Sequence, residues 1–377
     1  MNTYKNPLTR FWSVLKDNNK EIRQIYALSF FSGLVALILP LGIQAIINLI
    51  QGGELSISFF VMIVIVITGI IVSGYLQVMQ LRITENIQQS LFAKAAFDFA
   101  IRIPRIKSEE LYKKYAPELM NRFFDISTIQ KGLSKILIDF SLATLQIVFG
   151  LLLLSFYHPL FILLSITVVL VLYIILRFTS KKGFETSMKE SGYKFSVAFW
   201  LQELAHARTS FKVASNTSLN EEETDRRVYK YLNAREEHFV VLKQQMVYLI
   251  GFKVFIAACL LSIGGILVIN QQMNIGQFVA AELIILLVIG SVEKIILCLE
   301  TIYDVLTSLE KIGQVGDLEL EQSNQGLILQ DDKGIEIELK EIDFTYPNSS
   351  TPILSDLSLK LEAFQKIGVT EAQRRIF

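Results

Sequence analysis

Four ionisable side chains interrupt two of the most apolar stretches of this sequence, Lys253 in one and Glu282, Glu293 and Lys294 in the other. A charge inside hydrocarbon is costly, so such residues face a water-filled path, pair with one another or reach a polar boundary. Their chemistry is electrostatic contact with a solute, and no catalytic residue is assigned. We predict that Glu282 and Lys253 line a cavity; the alternative is that both reach the nearest polar boundary.

Other residue types that could bind a metal or a nucleic acid give no site. Cys259 and Cys298 lie one each in two apolar stretches, where a small buried hydrophobic residue is a better interpretation than a disulfide or a metal ligand. Lys and Arg together number 36, as do Asp and Glu, and no basic face is evident. We therefore expect neither a metal site nor a nucleic-acid partner.

Six apolar stretches must position the charged residues. Hydrophobic residues make up 52% of the chain and charged residues 19%. Each stretch is close to the ~20 residues with which a helix crosses ~30 Å of hydrocarbon. The sequence thus predicts a mainly α membrane protein with six transmembrane helices. The stretches are Ile25–Ile50, Ile57–Gln80, Leu137–Tyr157, Leu160–Phe178, Val247–Ile269 and Phe278–Leu299.

The connections between these stretches alternate between short and long. The short ones, Gln51–Ser56, His158–Pro159 and Asn270–Gly276, contain no Lys or Arg, whereas the two long ones are rich in both. Because Lys and Arg accumulate on the cytoplasmic side, the long connections and both termini are predicted to be cytoplasmic. The expected location is the plasma (inner) membrane, which the chain crosses several times.

Both long connections are predicted to be helical excursions from the membrane. Ile57–Ile103 contains no proline, and as one helix it would reach ~70 Å, over twice the hydrocarbon thickness. Pro104 ends it, and the chain reverses before Pro117. The second excursion runs down past Lys181 and Lys182 towards Trp200 and returns after Ser218. A short transverse segment is expected at the tip of each, and the shape favours docking to something in the cytoplasm over a bundle that only stabilises itself.

The two ends of the chain have a different character. Residues 1–24 are predicted to hold an interfacial helix, because Leu8, Phe11, Trp12 and Leu15 form one stripe; packing on protein is an equal alternative. Residues 316–334 have the composition of a polar linker. Alternating apolar residues from Ile335 onwards then predict a short β-rich C-terminal segment over residues 335–377.

Four segments resemble those of ATP-binding cassette (ABC) exporters of the half-transporter type, in order and at family spacing. The resemblance implies an exporter transmembrane domain over residues 25–315, followed by the first strands of a nucleotide-binding domain. It also implies a homodimer or a heterodimer with another half-transporter, enclosing an alternating-access pathway. The segments are Glu118–Asp125, Leu306–Ile312, Phe344–Pro347 and Leu354–Leu361.

The resemblance also implies roles for particular residues. The transverse segments would be coupling helices that contact nucleotide-binding domains, and Tyr346 would stack on adenine; the alternative for Tyr346 is a plain strand aromatic. The implied coupling residues are Arg105, Ile106, Lys107, Glu110 and Leu111 in the first segment, and His206, Arg208, Phe211 and Lys212 in the second.

The chain departs from the family where ATP chemistry should begin. After Lys366–Thr370 the family continues into a glycine-rich phosphate loop with a Lys and a Mg²⁺-binding hydroxyl, but here Glu371 stands at the first glycine. Phe364 replaces another glycine, in the turn before that strand. We expect the cassette to be truncated, so ATP and Mg²⁺, the family's cofactors, should not bind this chain alone. We likewise expect no ATPase activity from it alone.

Three functions are compatible with these features. The leading hypothesis is the membrane-spanning subunit of an ATP-driven ABC exporter. The alternative is a non-catalytic membrane partner or scaffold of an intact half-transporter. A secondary transporter is disfavoured, because no internal repeat or pair of broken helices is evident.

The predicted orientation can be tested by cysteine labelling. Single cysteines at Gly52, His158 or Asn274 should react with an impermeant reagent from outside the cell, and cysteines at Lys113 or Lys212 should react only after permeabilisation. Labelling with the opposite pattern at any of these positions would contradict the six-span arrangement.

Overall fold

The structure is a computed structural model that describes residues 7–53, 57–111, 116–214, 218–321, 334–346 and 352–368. The chain divides into two compact units, one of residues 1–100 with 117–317 and one of residues 101–116 with 318–377. The first unit is helical and holds all six predicted spans. The second unit holds the first predicted coupling segment and the β-rich C-terminal segment.

Twelve α-helices account for most of the described residues. Their bounds, in chain order, are α1 Pro7–Asp17, α2 Asn19–Val35, α3 Ile38–Gln51, α4 Ile57–Arg102, α5 Ser108–Leu111, α6 Ala116–Asn121, α7 Asp125–Lys135, α8 Ser141–Ser155, α9 Pro159–His206, α10 Arg208–Val213, α11 Leu219–Ile269 and α12 Ile275–Gly316. Single turns of 3₁₀ helix at Ile103–Arg105 and Arg122–Phe124, and a π-helical turn at Ile136–Phe140, join some of them.

Five helical runs in the described residues are long and apolar enough to cross a membrane, so the chain is an integral multi-pass membrane protein. They correspond to the first five predicted spans, although the third run ends two residues before the predicted end at Tyr157. The sixth, Phe278–Leu299, lies within α12, which is not one of the five. The runs are Asn19–Gln51, Ile57–Arg105, Leu119–Ser155, Pro159–His206 and Leu219–Ile269.

The helix of the first predicted span is interrupted at residues 36–37, between α2 and α3. α2 ends at Val35, α3 begins at Ile38, and Pro40 lies in the first turn of α3. Pro40 has no N–H with which to bond the carbonyl of Ala36, four residues earlier, so the chain turns there. The hydrogen bonding resumes at Leu41, whose N–H donates to the Leu37 carbonyl at 3.2 Å.

Helix α12 is the packing centre of the first unit. Four other helices each bring a glycine against one of its side chains, and a Cβ atom added at any of these glycines would lie only 2.3–2.8 Å from that side chain. Small residues let membrane helices approach closely, and the gain is van der Waals contact. The four pairs are Gly132–Val305 from α7, Gly150–Val288 from α8, Gly183–Tyr303 from α9 and Gly264–Phe278 from α11.

The N-terminal helix α1 packs on protein along one side, and its predicted place at the membrane interface stays a prediction. Leu15 is buried with residues of α2, α4 and α7, whereas Trp12 is 66% exposed and Leu8 is also exposed. The Arg10 side chain pairs with Asp317 and lies 3.7 Å from the Glu310 carboxylate. This contact fastens α1 to the C-terminal end of α12.

In the second unit, the predicted strands form one antiparallel hairpin. β1 (Ile337–Phe344) pairs with β2 (Leu354–Leu361), and β1 begins slightly after the predicted start at Ile335. Apolar side chains on it are exposed, Phe344 by 44% and Leu359 by 41%. The predicted turn after Tyr346, most of the predicted linker and the residues after Gly368 lie outside the described part of the chain.

The backbone at Phe364 agrees with the glycine that the resemblance places there. Its φ is +65°, in the left-handed region that favours glycine. Gly334 also has a positive φ of +67°, and a Cβ added there would lie 2.8 Å from the Phe364 ring. The hairpin therefore retains a glycine-type turn although a bulky residue occupies it.

The close contact at Gly183 gives a test of the packing around α12. Gly183→Ala should lower the melting temperature of the detergent-purified chain, because overpacking of this kind costs about 1–3 kcal/mol. Gly192→Ala, in the same helix with nothing within 4 Å of the added Cβ, is the control. It should leave the melting temperature unchanged or raise it, since Ala favours helix over Gly by about 1 kcal/mol. Equal effects of the two substitutions would contradict the packing.

Candidate functional site

Two of the charged residues in the apolar stretches form an ion pair. Lys253 of α11 donates to the Glu293 carboxylate of α12 at 2.7 Å, and the two side chains are 33% and 37% exposed. The sequence analysis considered these residues separately, because hydropathy does not give the rotation of one helix relative to another. Pairing lowers the cost of holding both charges within the spans. A charged solute that reached Lys253 would have to compete with Glu293.

Glu282 is in a different situation. It lies near the N-terminal end of α12, is half-buried, and makes no hydrogen bond or ion pair with another described residue. Its neighbour Leu286, one turn further along the helix, is 58% exposed. Glu282 is therefore the acidic group of this span that is available to a solute, and its role in a cavity stays a prediction.

Neutral polar side chains in and at the edges of the apolar region form pairs between segments distant in sequence, and none of these pairs was predicted. Each pair contains a glutamine, which is the signal that the sequence offered. Such contacts in membranes are worth about 0.6 kcal/mol on average, so their effect is chiefly to fix helix rotation. The pairs and donor–acceptor distances are Gln80–Ser29 at 3.1 Å, Ser291–Gln146 at 2.9 Å, Tyr157–Gln44 at 2.5 Å and Gln245–Tyr303 at 3.1 Å.

The second predicted coupling segment is the short helix α10 between α9 and α11. Phe211 is half-buried and lies edge-on to the Trp200 ring of α9, with 6.4 Å between ring centroids. His206, Arg208 and Lys212 are exposed. The aromatic contact holds α10 against α9, while the cationic side chains of α10 remain exposed.

The ring of Trp200 also connects α9 to α11. Its Nε1 donates to the Thr224 hydroxyl at 2.9 Å, and the Arg227 guanidinium lies 5.5 Å from the ring centroid. Arg227 also donates to the Ser196 carbonyl at 3.1 Å. The end of the hairpin is therefore tied across its two helices at several points immediately behind α10.

Further along the hairpin, ion pairs continue this connection. Arg235 of α11 donates to Glu190 of α9 at 3.0 Å, and Lys189 of α9 donates to Glu237 of α11 at 2.6 Å. These groups are about half exposed except Glu190, so each pair contributes modestly. Together they align the two helices outside the apolar region.

The first predicted coupling segment is bound within the second unit to the chain that leaves α12. Lys107 pairs with Glu319 at 2.7 Å, and the Lys107 N–H donates to the Glu319 carbonyl at 3.0 Å. Ile106, opposite Leu320, is only 4% exposed, whereas Arg105 is exposed. Lys107, Glu110 and Leu111 are half-buried. Ile106 is thus packed inside this unit and offers no surface to another protein.

A buried lysine joins α12 to α9 near the C-terminal end of α12. Lys311 donates to the Ser191 carbonyl at 3.1 Å and to the Ser191 hydroxyl, and its Nζ lies 3.5 Å from the centre of the Phe195 ring. Burial lowers the pKa of the Lys311 ammonium to about 7, although the nearby Asp125 carboxylate acts to raise it. One Asp125 oxygen is buried without a hydrogen-bond partner in the described residues.

A cavity of about 370 Å³ adjoins this lysine, with Arg122 and Gln314 in its wall. The Arg122 guanidinium donates to the Gln314 side chain. Arg122 and Asp125 belong to one segment of the family resemblance and Lys311 to another, so the fold brings together two segments that the sequence analysis treated separately.

Tyr346 lies at the end of the described part of the hairpin. It is 42% exposed, and its ring meets that of Phe344 edge-on at 5.1 Å between centroids. Adenine stacking on this ring stays a prediction. Among the described residues no group of His, Cys, Asp and Glu could hold a metal ion.

Residues 25–196 match the family model described as ABC transporter transmembrane region. The match begins in α2, covers the first excursion and ends ten residues before the C-terminal end of α9. A comparison with curated proteins found no match to the chain.

The lowered pKa of Lys311 predicts a pH dependence of stability. The unfolded chain holds the Lys311 proton up to about pH 10.4, whereas the folded chain loses it near pH 7. Stability should therefore rise with pH between these values, by at most about 1.4 kcal/mol per pH unit, and this contribution should be flat below pH 7. Melting curves between pH 6 and pH 9 measure it.

In the same experiment Lys311→Met should remove this rise, and Lys230→Met, at an exposed position on α11, should keep it. An unchanged pH dependence in Lys311→Met would mean that Lys311 is charged throughout the range.

Proposed function

We propose that this chain, a membrane subunit of an ABC transporter with its transmembrane region at residues 25–196, carries out ATP-driven export together with a second copy or a related half-transporter. The two would enclose a pathway that opens alternately to each side of the inner membrane, with both termini in the cytoplasm. The energy would come from nucleotide-binding domains that contact the two coupling segments.

The observation that carries this proposal is the length of the α9–α11 hairpin. α9 has 48 residues and α11 has 51, which at 1.5 Å per residue correspond to ~72 Å and ~77 Å. Crossing the hydrocarbon takes ~30 Å, so more than half of each helix is left over. Two helices of this length, closed by a short helix with exposed cations, are suited to carry movement between the membrane and a cytoplasmic domain.

The contacts between α9 and α11 support this role, because a hairpin that transmits movement, as a lever does, must be rigid. The hairpin is tied by Trp200 and Arg227 near the tip and by the pair Arg235–Glu190 further up. A displacement of α10 would therefore move both helices together. Close to the membrane, Gly183 of α9 receives Tyr303 of α12, so the movement would reach α12.

Partnering with a second half-transporter is supported by helix α4. In the apolar part of α4 most large side chains are exposed, Ile71 by 65% and Val78 by 65%, and few residues are buried. Lipid covers some of this surface. A second half-transporter would cover the rest and complete the pathway into which Glu282 and the Lys253–Glu293 pair would project.

The alternative function, a non-catalytic partner of an intact half-transporter, is favoured by the departures at Phe364 and Glu371. Co-purification from native membranes separates the scaffold from the homodimeric form of the exporter. A scaffold should bring down an intact half-transporter in a one-to-one ratio, whereas a homodimeric exporter subunit should not.

The coupling role of α10 can be tested by cross-linking in native membranes. Lys212→Cys carrying a short photoreactive group should form an adduct with an ATP-binding cassette, identified by mass spectrometry, and ATP should change its yield. Lys230→Cys is the control, because it lies about 17 Å from the start of α11 along an exposed face. A cassette adduct from Lys230→Cys but not from Lys212→Cys would place the contact elsewhere.

A further inference from the structure

A cleft of about 520 Å³ lies where α1, α9 and α12 meet in the first unit. Most of its wall is apolar or aromatic. It lies beside the crossing of Gly183 and Tyr303 and is separate from the coupling segments, the cavity at Lys311 and the Lys253–Glu293 pair. The apolar and aromatic lining residues are Pro7, Leu8, Tyr173, Leu176, Phe184, Leu299, Ile302, Tyr303 and Leu306.

Two cations line one side of this cleft, and no acidic residue lines it. Arg177 and Lys181 are four residues apart on α9, so they lie on the same face of the helix. Arg177 has no hydrogen bond or ion pair with another described residue. Lys181 lies 4.0 Å from Glu185, and with both side chains mostly exposed this contact is weak. The cleft therefore attracts an anion and offers nothing to an ammonium group.

The level of the cleft corresponds to the boundary of the membrane. Arg177 lies at the end of the fourth predicted span, after a long apolar run, and Lys181 follows it one turn later. On α1, which forms the opposite wall, Trp12 is 66% exposed. Exposed Trp and basic residues at one level are typical of the headgroup region of the cytoplasmic leaflet.

An apolar groove continues from this cleft towards the middle of the membrane. A second cavity, of about 570 Å³, lies between α8 and α9, and Tyr173 lines both. The side of this cavity that α9 forms is one stripe of residues on that helix. Counted from Arg177 towards the start of α9, these residues are spaced three or four positions apart. From Arg177 the stripe extends ~22 Å at 1.5 Å per residue. Its members are Tyr173, Leu170, Ile166 and Ile162.

We infer that this cleft and groove bind an anionic phospholipid of the cytoplasmic leaflet. The phosphate would lie between Arg177 and Lys181, and an acyl chain would follow the stripe on α9. Charge complementarity selects this occupant, since cations at the headgroup level with an apolar channel on their membrane side match a phosphate with an attached chain. The assignment of the leaflet rests on the proposed orientation of the chain, but the binding itself does not.

The experiment is native mass spectrometry of the full chain, released from nanodiscs that contain equal amounts of phosphatidylglycerol and phosphatidylcholine. The wild-type chain should retain phosphatidylglycerol preferentially. Arg177→Gln and Lys181→Gln should each reduce this retention about fivefold, and the double variant roughly thirtyfold. Lys182→Gln removes an exposed charge adjacent to Lys181 that does not line the cleft, and it should have no effect.

The acyl-chain groove has its own pair of variants. Val169→Trp, in the wall of the groove, should reduce retention of phosphatidylglycerol, whereas Ile174→Trp, at an exposed position of α9 outside both cavities, should not. Circular dichroism of each variant verifies that the helices are intact.

Three results would overturn the inference. Equal retention of the two lipids would remove the role of charge. Retention unchanged in the Arg177→Gln/Lys181→Gln double variant would place the lipid elsewhere. A change from dimer to monomer in that variant, without a change in lipid, would mean that a second copy of the chain occupies the cleft. The cross-linking at Lys212 tests the proposed coupling role of α10, and these three results do not depend on its outcome.

Discussion

The close approach of four helices to α12 is the contact on which the rest of the first unit depends. Helices in a bilayer gain little from hiding apolar surface from one another, because the lipid around them is equally apolar. They associate where their surfaces fit, and here the fit comes from glycines that receive side chains of α12, such as Gly183 with Tyr303 and Gly150 with Val288. Once these contacts are made, the rotation of each helix is fixed. The pairing of Lys253 with Glu293 and of Gln245 with Tyr303 then follows.

Beyond the apolar region the same helices are held by different forces. Water competes for every polar group there, so a single exposed ion pair contributes little. The structure accordingly uses several contacts in series along the α9–α11 hairpin. Where α12 leaves the bundle, polar groups are buried instead, with Lys311 bonded to Ser191 and Arg10 laid across Gly313. Removing one partner of a buried polar contact lowers the free energy of unfolding by more than the contact itself contributes, because the other partner is left buried without a hydrogen bond. Substitutions at these positions are therefore expected to be destabilising.

Much of the architecture could be predicted from the sequence because hydropathy and helix length are local properties. The long helices α4, α9 and α11, the tip helix α10 and the strands at Ile337 and Leu354 were all predicted close to their observed bounds. Pro40 indicates a disturbance in the first span, but the proline alone does not tell a bend from the short interruption between α2 and α3. The contacts of Lys253 and Lys311 could not be predicted, since they depend on the relative rotation of helices that are distant in sequence. Glycine is common in membrane helices, so Gly183 by itself gave no sign of its contact with Tyr303.

Tyr303 connects the packing of the membrane region to the two proposals. It occupies the space left by Gly183, accepts a hydrogen bond from Gln245 and forms part of the wall of the lipid cleft. If the α9–α11 hairpin moves as a lever, α9 must slide or rotate against α12 at this residue. Movement there changes the width of the cleft between Arg177 and α12, and a lipid held in the cleft would resist or favour that movement according to its size. The same crossing would thus let the composition of the membrane influence the equilibrium between the two states of the transporter, because a ligand shifts an equilibrium by its difference in affinity for the two states.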